Sequence, residues 1–358
     1  MLLSSSHVLI CRNDNIGDVV LTLPITVWLK KHFPSIRISF MCRAYAAPIA
    51  RMCRTVDNVI EIESIGIDHD LVSFFKQCDA DTVIFAQPNR QLAIAAFKAG
   101  VPNRIGNARQ KLYQLIFCNR RVRFSKRISP LHEAQFNFHY LEPFGLRAVP
   151  SLAEIAGMYD LKVLGNECFE NPFEPNAFNL ILHPKSNGHG REWPIQHFES
   201  LAQKLMAANS QLPVHCWLTG STKEGEWLTQ HAPGLLRLPN VTNVCGLLSL
   251  DQLVAFIRHA DGLIASGTGP LHVSAALGQH TLGLFPPMRP MHPGRWAPVG
   301  QYAQFICKPV ICDACTKNQP ADSCACMENI SVDEVMEVVL QWVLAASAKV
   351  SITKEKFE

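Results

Sequence analysis

The sequence predicts an α/β protein built from two doubly wound parallel-sheet domains that face one another across a cleft. Three observations lead there. Short apolar runs alternate with helical stretches from His7 onward, the pattern of parallel βαβ units. The pattern pauses between Pro130 and Pro175, where prolines stand at 130, 143, 150, 172 and 175, and then begins again. At 358 residues the chain also exceeds the usual size of a single hydrophobic core.

In the first half, "HVLIC", "RISFMC", "NVIEI" and "DTVIFAQ" read as strands. "GDVVLTLPITVWLKKHF" reads as helix, with Pro24 as a kink or restart. In the second half, "NLILHP", "PVHCWLTG", "DGLIAS" and "TLGLF" are the strands. "PIQHFESLAQKLMAA" is an amphipathic helix with Pro194 in its first turn. "SLDQLVAFIRHA" is a helix capped by Ser249, and another helix begins near Pro270. The expected domains are 1–175 and 176–330, followed by a C-terminal helix over 331–358 that packs back toward the first domain.

A net charge of +3 is too small to point to nucleic acid, while a modest basic excess suits an acidic small molecule or an anionic membrane surface. No basic stretch precedes the first apolar run, so no secretory signal is expected. The longest stretch without Asp, Glu, Lys or Arg, Gly262 to Met288, is broken by glycine, proline and histidine and does not read as a membrane span. Thirteen cysteines are scattered along the chain, several (Cys11, Cys42, Cys216) inside strand runs as small hydrophobes. A reduced, cytoplasmic protein is expected.

"SGTGPLHVSAAL" follows a strand and opens a helix. Gly267-Thr268-Gly269 leaves backbone N–H groups free at a helix start, where the dipole also favours negative charge. Thr268 adds a hydroxyl, and His272 lies within reach of the same anion. A tight strand-to-helix turn with a structural histidine is the plainer reading. "HPKSNGHGREWP" offers Lys185, Ser186, Asn187 and Arg191 in a second loop after a strand. Two such loops in one domain favour a dinucleotide-like or nucleotide-sugar site over two accidental turns. In "RNDNIGDVVLTLP", Asp18 stands in the first turn of a helix. It reads either as a carboxylate complementing the dipole or as a general base for an acceptor hydroxyl. Arg12 beside it reads as a holder of an anionic acceptor.

"IGDVVLTLP", "HP.S…REWP", "LTGS..E" and "GTGPLHVSAALG", in that order, resemble the ADP-heptose:lipopolysaccharide heptosyltransferases, glycosyltransferase family 9. The resemblance spreads from about residue 7 to residue 340. It implies a GT-B fold of two Rossmann-like domains and an inverting transfer of L-glycero-D-manno-heptose from ADP-heptose, with no required divalent metal or other cofactor. The implied acceptor is a Kdo or heptose of the lipid-A-linked core oligosaccharide, reached at the inner-membrane surface. By position, Asp18 matches the base and Arg191 a donor-phosphate contact. Ser186 and Asn187 match the donor loop, Glu224 an acid near the adenosine ribose, and Leu248 a residue packed on adenine. Thr268, Gly269 and His272 match the diphosphate loop. The family usually reads Asp-Thr-Gly where this chain has Gly267-Thr268-Gly269. That loss of a carboxylate keeps a different nucleotide sugar, or a protein acceptor, in view. A nucleotide-sugar binding protein without turnover is the alternative from another class.

Three further features have two readings each. Asp79-Ala80-Asp81 matches a metal-binding DxD but precedes its strand, as a helix-to-strand turn would. Arg104 and the run "NRRVRFSKR" read as a solvated face or as a basic rim for the acceptor and the membrane. Near the C-terminus, Cys312, Cys315, Cys324 and Cys326, with Cys307 upstream, form CxxC followed by CxC. They supply four thiolates for structural zinc or iron, or they are reduced thiols in a surface loop.

Overall fold

The computed structural model describes residues 2, 5–65, 70–163, 171–186, 190–208, 212–309, 311–317 and 324–355. The chain divides into two units, Met1–Leu164 and Gly165–Glu358. In the first, strands β1 (His7–Cys11), β2 (Arg37–Cys42), β3 (Asn58–Glu61), β4 (Thr82–Phe85), β5 (Asn103–Asn107) and β6 (Arg120–Val122) form one sheet ordered β3-β2-β1-β4-β5-β6. Every pairing is parallel, with Cys11 beside Met41 on one side and Phe85 on the other. β1 and β4 are buried along their whole length, because helices cover both faces of a parallel sheet.

The second unit repeats the plan with β7 (Phe178–His183), β8 (Val214–Leu218), β9 (Val241–Asn243), β10 (Gly262–Ser266), β11 (His280–Phe285) and β12 (Ala303–Cys307). Its order, β12-β11-β10-β7-β8-β9, is the first sheet's order read from the other edge. In both sheets the order reverses between the first and fourth strands of the set: β1 and β4, then β7 and β10. Ligands of doubly wound folds bind at the carboxyl ends of such strands.

Local sequence explains the helices that matter. Pro24 does restart the chain: one helix covers Ile16–Thr22 and a second Pro24–His32. Ser249 caps Leu250–His259, its hydroxyl accepting from Gln252 N, a contact worth about 1 kcal/mol.

Residues 130 to 163, where the strand–helix pattern pauses, pack into the first unit. The helix Glu133–Phe138 belongs to the first unit, where Asn137 Nδ2 donates to Leu21 O at 2.9 Å and Phe136 and Tyr140 are buried. Interleaved aromatics outweigh the prolines there, and the first unit runs to Leu164. The C-terminal helix is Val332–Glu355. Its Val335, Val339, Trp342 and Val343 join the second unit's core beside Phe198 and Leu201 of the helix Ile195–Ala207.

Candidate active site

In the first unit the chemistry gathers after β1. Arg12, 2% exposed, directs its guanidinium to three carboxylates. Nε lies 2.8 Å from Asp14, and Nη2 pairs with Asp18 and, at 3.2 Å, with Glu133. Nη1 donates to Ala86 O at 3.2 Å. Lys126 also pairs with Glu133, which is fully buried. Burial alone would lower the Arg12 pKa, but Asp18, Asp14 and Glu133 more than offset it and keep the guanidinium charged. Burial pushes Asp14 up to about 6; Arg12 opposes this rise and Asp18 adds to it. Asp18 thus stands in the first turn of its helix, at the carboxyl end of the sheet, with its carboxylate held by a buried cation.

Arg12, expected to hold an anionic acceptor, has its donors engaged inside the unit by Asp14, Asp18, Glu133 and Ala86 O. Arg104 was expected on a basic rim for the acceptor. It registers with Val83, which pairs with Leu9, while Arg12 follows the strand end at Cys11. That is three residues farther along, about 10 Å. Its Nε donates to Phe117 O at 2.7 Å and its guanidinium lies over the Phe97 ring. It ties down carbonyls well below the strand ends.

In the second unit two loops meet. β7 and β10 are neighbours, Ala265 beside His183, so the segments after them emerge together. A Cβ on Gly190 would lie 3.4 Å from Gly267 O, which shows how closely the backbones approach. Trp193 N donates to Ser266 Oγ at 3.2 Å and fixes the same junction. The helix Gly269–Ala276 begins at Thr268 without a side-chain cap, and Pro270 stands in its first turn. Its first N–H groups therefore lack intrahelical partners. Thr268 Oγ1 is buried with no hydrogen-bond partner, and His272 is buried in the same first turn. Ser186 and Arg191 are buried beside this turn, whereas Asn187 lies outside the described residues.

Glu192 was not foreseen. Its carboxylate accepts from Ser186 N at 2.8 Å and Ser186 Oγ at 3.1 Å, and it pairs with Lys185. Lys185 Nζ lies 3.9 Å from the centroid of the Trp227 ring. The lysine therefore braces the loop as well as charging it. Glu224 forms a capping box with Ser221, accepting from Ser221 N at 2.6 Å, with its other oxygen outside the box. The Ser-x-x-Glu spacing was the available signal for this. Leu248 is half-buried just before the helix Leu250–His259. Asp81 is structural: it accepts from Ser6 N and His7 N at 2.7 and 3.0 Å. Burial would raise its pKa, but these bonds and those from the Ser5 and Ser6 hydroxyls hold it below the usual aspartate value.

His183, at the end of β7, contacts Thr219 Oγ1 at 3.0 Å. Burial lowers its pKa below 6.5, against the raising pull of Glu224 and Glu192. Burial also lowers the pKa of His7, His197, His215 and His292. The unfolded chain then takes up protons that the folded chain refuses. Stability is expected to hold above pH 6.5 and fall as pH drops below it. His183 alone contributes a slope of up to about 1.4 kcal/mol per pH unit. Melting temperatures from pH 7.5 to 5.0 check this, with a flatter profile expected for His183→Asn.

Two doubly wound domains in one chain, each with its polar loops collected at the strand carboxyl ends, make up the GT-B class of glycosyltransferases. The profile of glycosyltransferase family 9 (heptosyltransferase) matches residues 69–325. The chain belongs to that family, the heptosyltransferases among the lipopolysaccharide-core glycosyltransferases. It is 26% identical to a Haemophilus influenzae protein described provisionally as a glycosyltransferase, over 92% of this chain and 94% of that one. It is 23% identical to lipopolysaccharide heptosyltransferase 2 of Escherichia coli, over 77% of this chain and 81% of that one. The solved structure of the E. coli ADP-heptose lipopolysaccharide heptosyltransferase II superposes with a TM-score of 0.72 at 19% identity, covering 96% of this chain and 99% of that one.

Proposed function

We propose that this glycosyltransferase moves L-glycero-D-manno-heptose from ADP-heptose to a Kdo or heptose of the lipid-A-linked inner core, with inversion at the anomeric carbon. The second domain takes the donor and the first takes the acceptor. The observation that carries the reading is the uncapped turn Gly267-Thr268-Gly269, with the buried, unpartnered Thr268 hydroxyl inside it. Uncapped amide N–H groups and a hydroxyl within one turn suit the phosphates of a nucleoside diphosphate. Arg191 adds positive charge beside it.

In the proposed step, Asp18 takes the proton of the acceptor hydroxyl as that oxygen bonds to the anomeric carbon. The bond from that carbon to the β-phosphate oxygen breaks, and ADP leaves with the electron pair. The amide turn stabilises the charge that develops there, so no metal ion or other cofactor is called on. The enzyme works in the cytoplasm at the inner face of the inner membrane. Among the described residues no helix is long and apolar enough to cross a membrane, and Arg120 and Arg121 are exposed on the edge strand β6.

One observation favours a second reading, transfer of another sugar or transfer to a protein. A Cβ on Gly267 would lie 3.1 Å from the Phe285 ring, so the glycine leaves room for that ring where a family member would carry a carboxylate. Mass spectrometry of the products formed from ADP-heptose and from other nucleotide sugars, each with a truncated lipopolysaccharide core, separates the two. Heptose transfer supports the first reading. Transfer from a different donor alone replaces it with the second.

A further inference from the structure

The segment before the last helix brings together four cysteines that the proposed chemistry does not use. Cys312 and Cys315 flank the start of the helix Asp313–Thr316, and Cys324 and Cys326 flank the start of Ala325–Glu328. Their four Sγ atoms all lie within 4.8 Å of one another. Cys312 and Cys324 are 3.6 Å apart, and Cys315 and Cys324 are 3.1 Å apart. A disulfide needs about 2.05 Å. A metal–thiolate tetrahedron with bonds of about 2.3 Å has edges of about 3.8 Å. The observed separations, from 3.1 Å up to at most 4.8 Å, exceed the first value and span the second. Cys315, Cys324 and Cys326 are 3%, 3% and 0% exposed, so the cluster is not a surface loop of reactive thiols. Cys312 N donates to Cys326 Sγ at 3.1 Å, the kind of outer hydrogen bond that supports a ligating sulfur.

We propose that Cys312, Cys315, Cys324 and Cys326 bind one structural transition-metal ion, zinc or iron, in a tetrahedral all-thiolate site. Soft sulfur ligands select these ions over magnesium or calcium. The site goes beyond the transfer reaction and stands whichever donor is used. Its role follows from what it is attached to. Cys326 leads into Met327 and Ile330 of the second unit's core, and Ile330 O accepts from Trp193 Nε1 at 2.9 Å. Trp193 in turn adjoins Arg191 and Glu192 of the loop beside the amide turn and bonds Ser266. The ion thereby staples together a segment on which the wall of the donor loop rests.

The test is elemental analysis of the full chain, purified under reducing conditions without a metal-affinity step. About one zinc or iron per molecule is expected, with iron distinguished by its visible thiolate absorption. Cys312→Ser and Cys315→Ser should each drop the content below about a tenth of an ion. To separate lost ligation from misfolding of a variant, the wild type is also stripped with a chelator and titrated with Zn2+ or Fe2+ alone. Recovery of one equivalent with a raised melting temperature supports the site. A wild-type chain that carries no stoichiometric ion and takes up neither metal overturns it. So does unchanged metal content in both serine variants.

Discussion

Asp18→Asn is expected to lower kcat by a factor of about 10²–10⁴, the usual contribution of a positioned general base. The amide keeps the side chain's size and can still accept from Arg12, but it cannot take a proton from an attacking hydroxyl. Asp18 belongs to the first unit and the amide turn to the second. Donor affinity, measured by calorimetry with ADP, should therefore stay within about twofold of the wild type, well under the 1.4 kcal/mol of a tenfold change. Loss of turnover with intact binding supports an enzyme with Asp18 as its base and excludes a binding protein without turnover. An unchanged rate assigns the proton to another group.

Arg12→Met should have the largest effect on stability. It leaves Asp14, Asp18 and Glu133 crowded together with their shared guanidinium gone, and Glu133 is fully buried. Breaking a buried ion cluster from one side costs about 3–5 kcal/mol, because the remaining charges keep their desolvation penalty. For a unit of this size that is a fall in melting temperature of roughly 6–20 °C. Arg12→Lys restores the charge without the planar fork and should recover part of the loss. A methionine variant as stable as the wild type would show that the carboxylates are held by other groups. Its acceptor KM is informative as well. Loss of rate without a rise in acceptor KM marks Arg12 as a positioning residue rather than an acceptor contact.

Eight strands were legible, β1 to β4, β7, β8, β10 and β11, and all but the edge strand β3 are largely buried. β1, β4, β7 and β10 stand at the centres of the two sheets and read as unbroken apolar runs. The strands that were missed are polar or short. β6 and β9 have three residues each, "RRV" and "VTN", and with β12 they lie at sheet edges, where water covers one side. β5, "NRIGN", carries an arginine and a glycine that hide its period. The resemblance identified the correct family. It did not reveal that Lys185 answers to Glu192, or that Glu224 caps its own helix.

By itself the sequence determined the doubly wound plan of each half, the positions of the amide turn and of Asp18, and the four clustered cysteines. All of these follow from local periodicity, glycine placement and spacing. Only the tertiary structure decided what Arg12 pairs with, because its partner Glu133 lies 121 residues away in the chain. A cation next to a candidate base reads as a ligand contact until a distant carboxylate is folded against it. The structure likewise decided where the last helix packs, since an apolar helical stripe specifies that a face is buried but not which surface covers it.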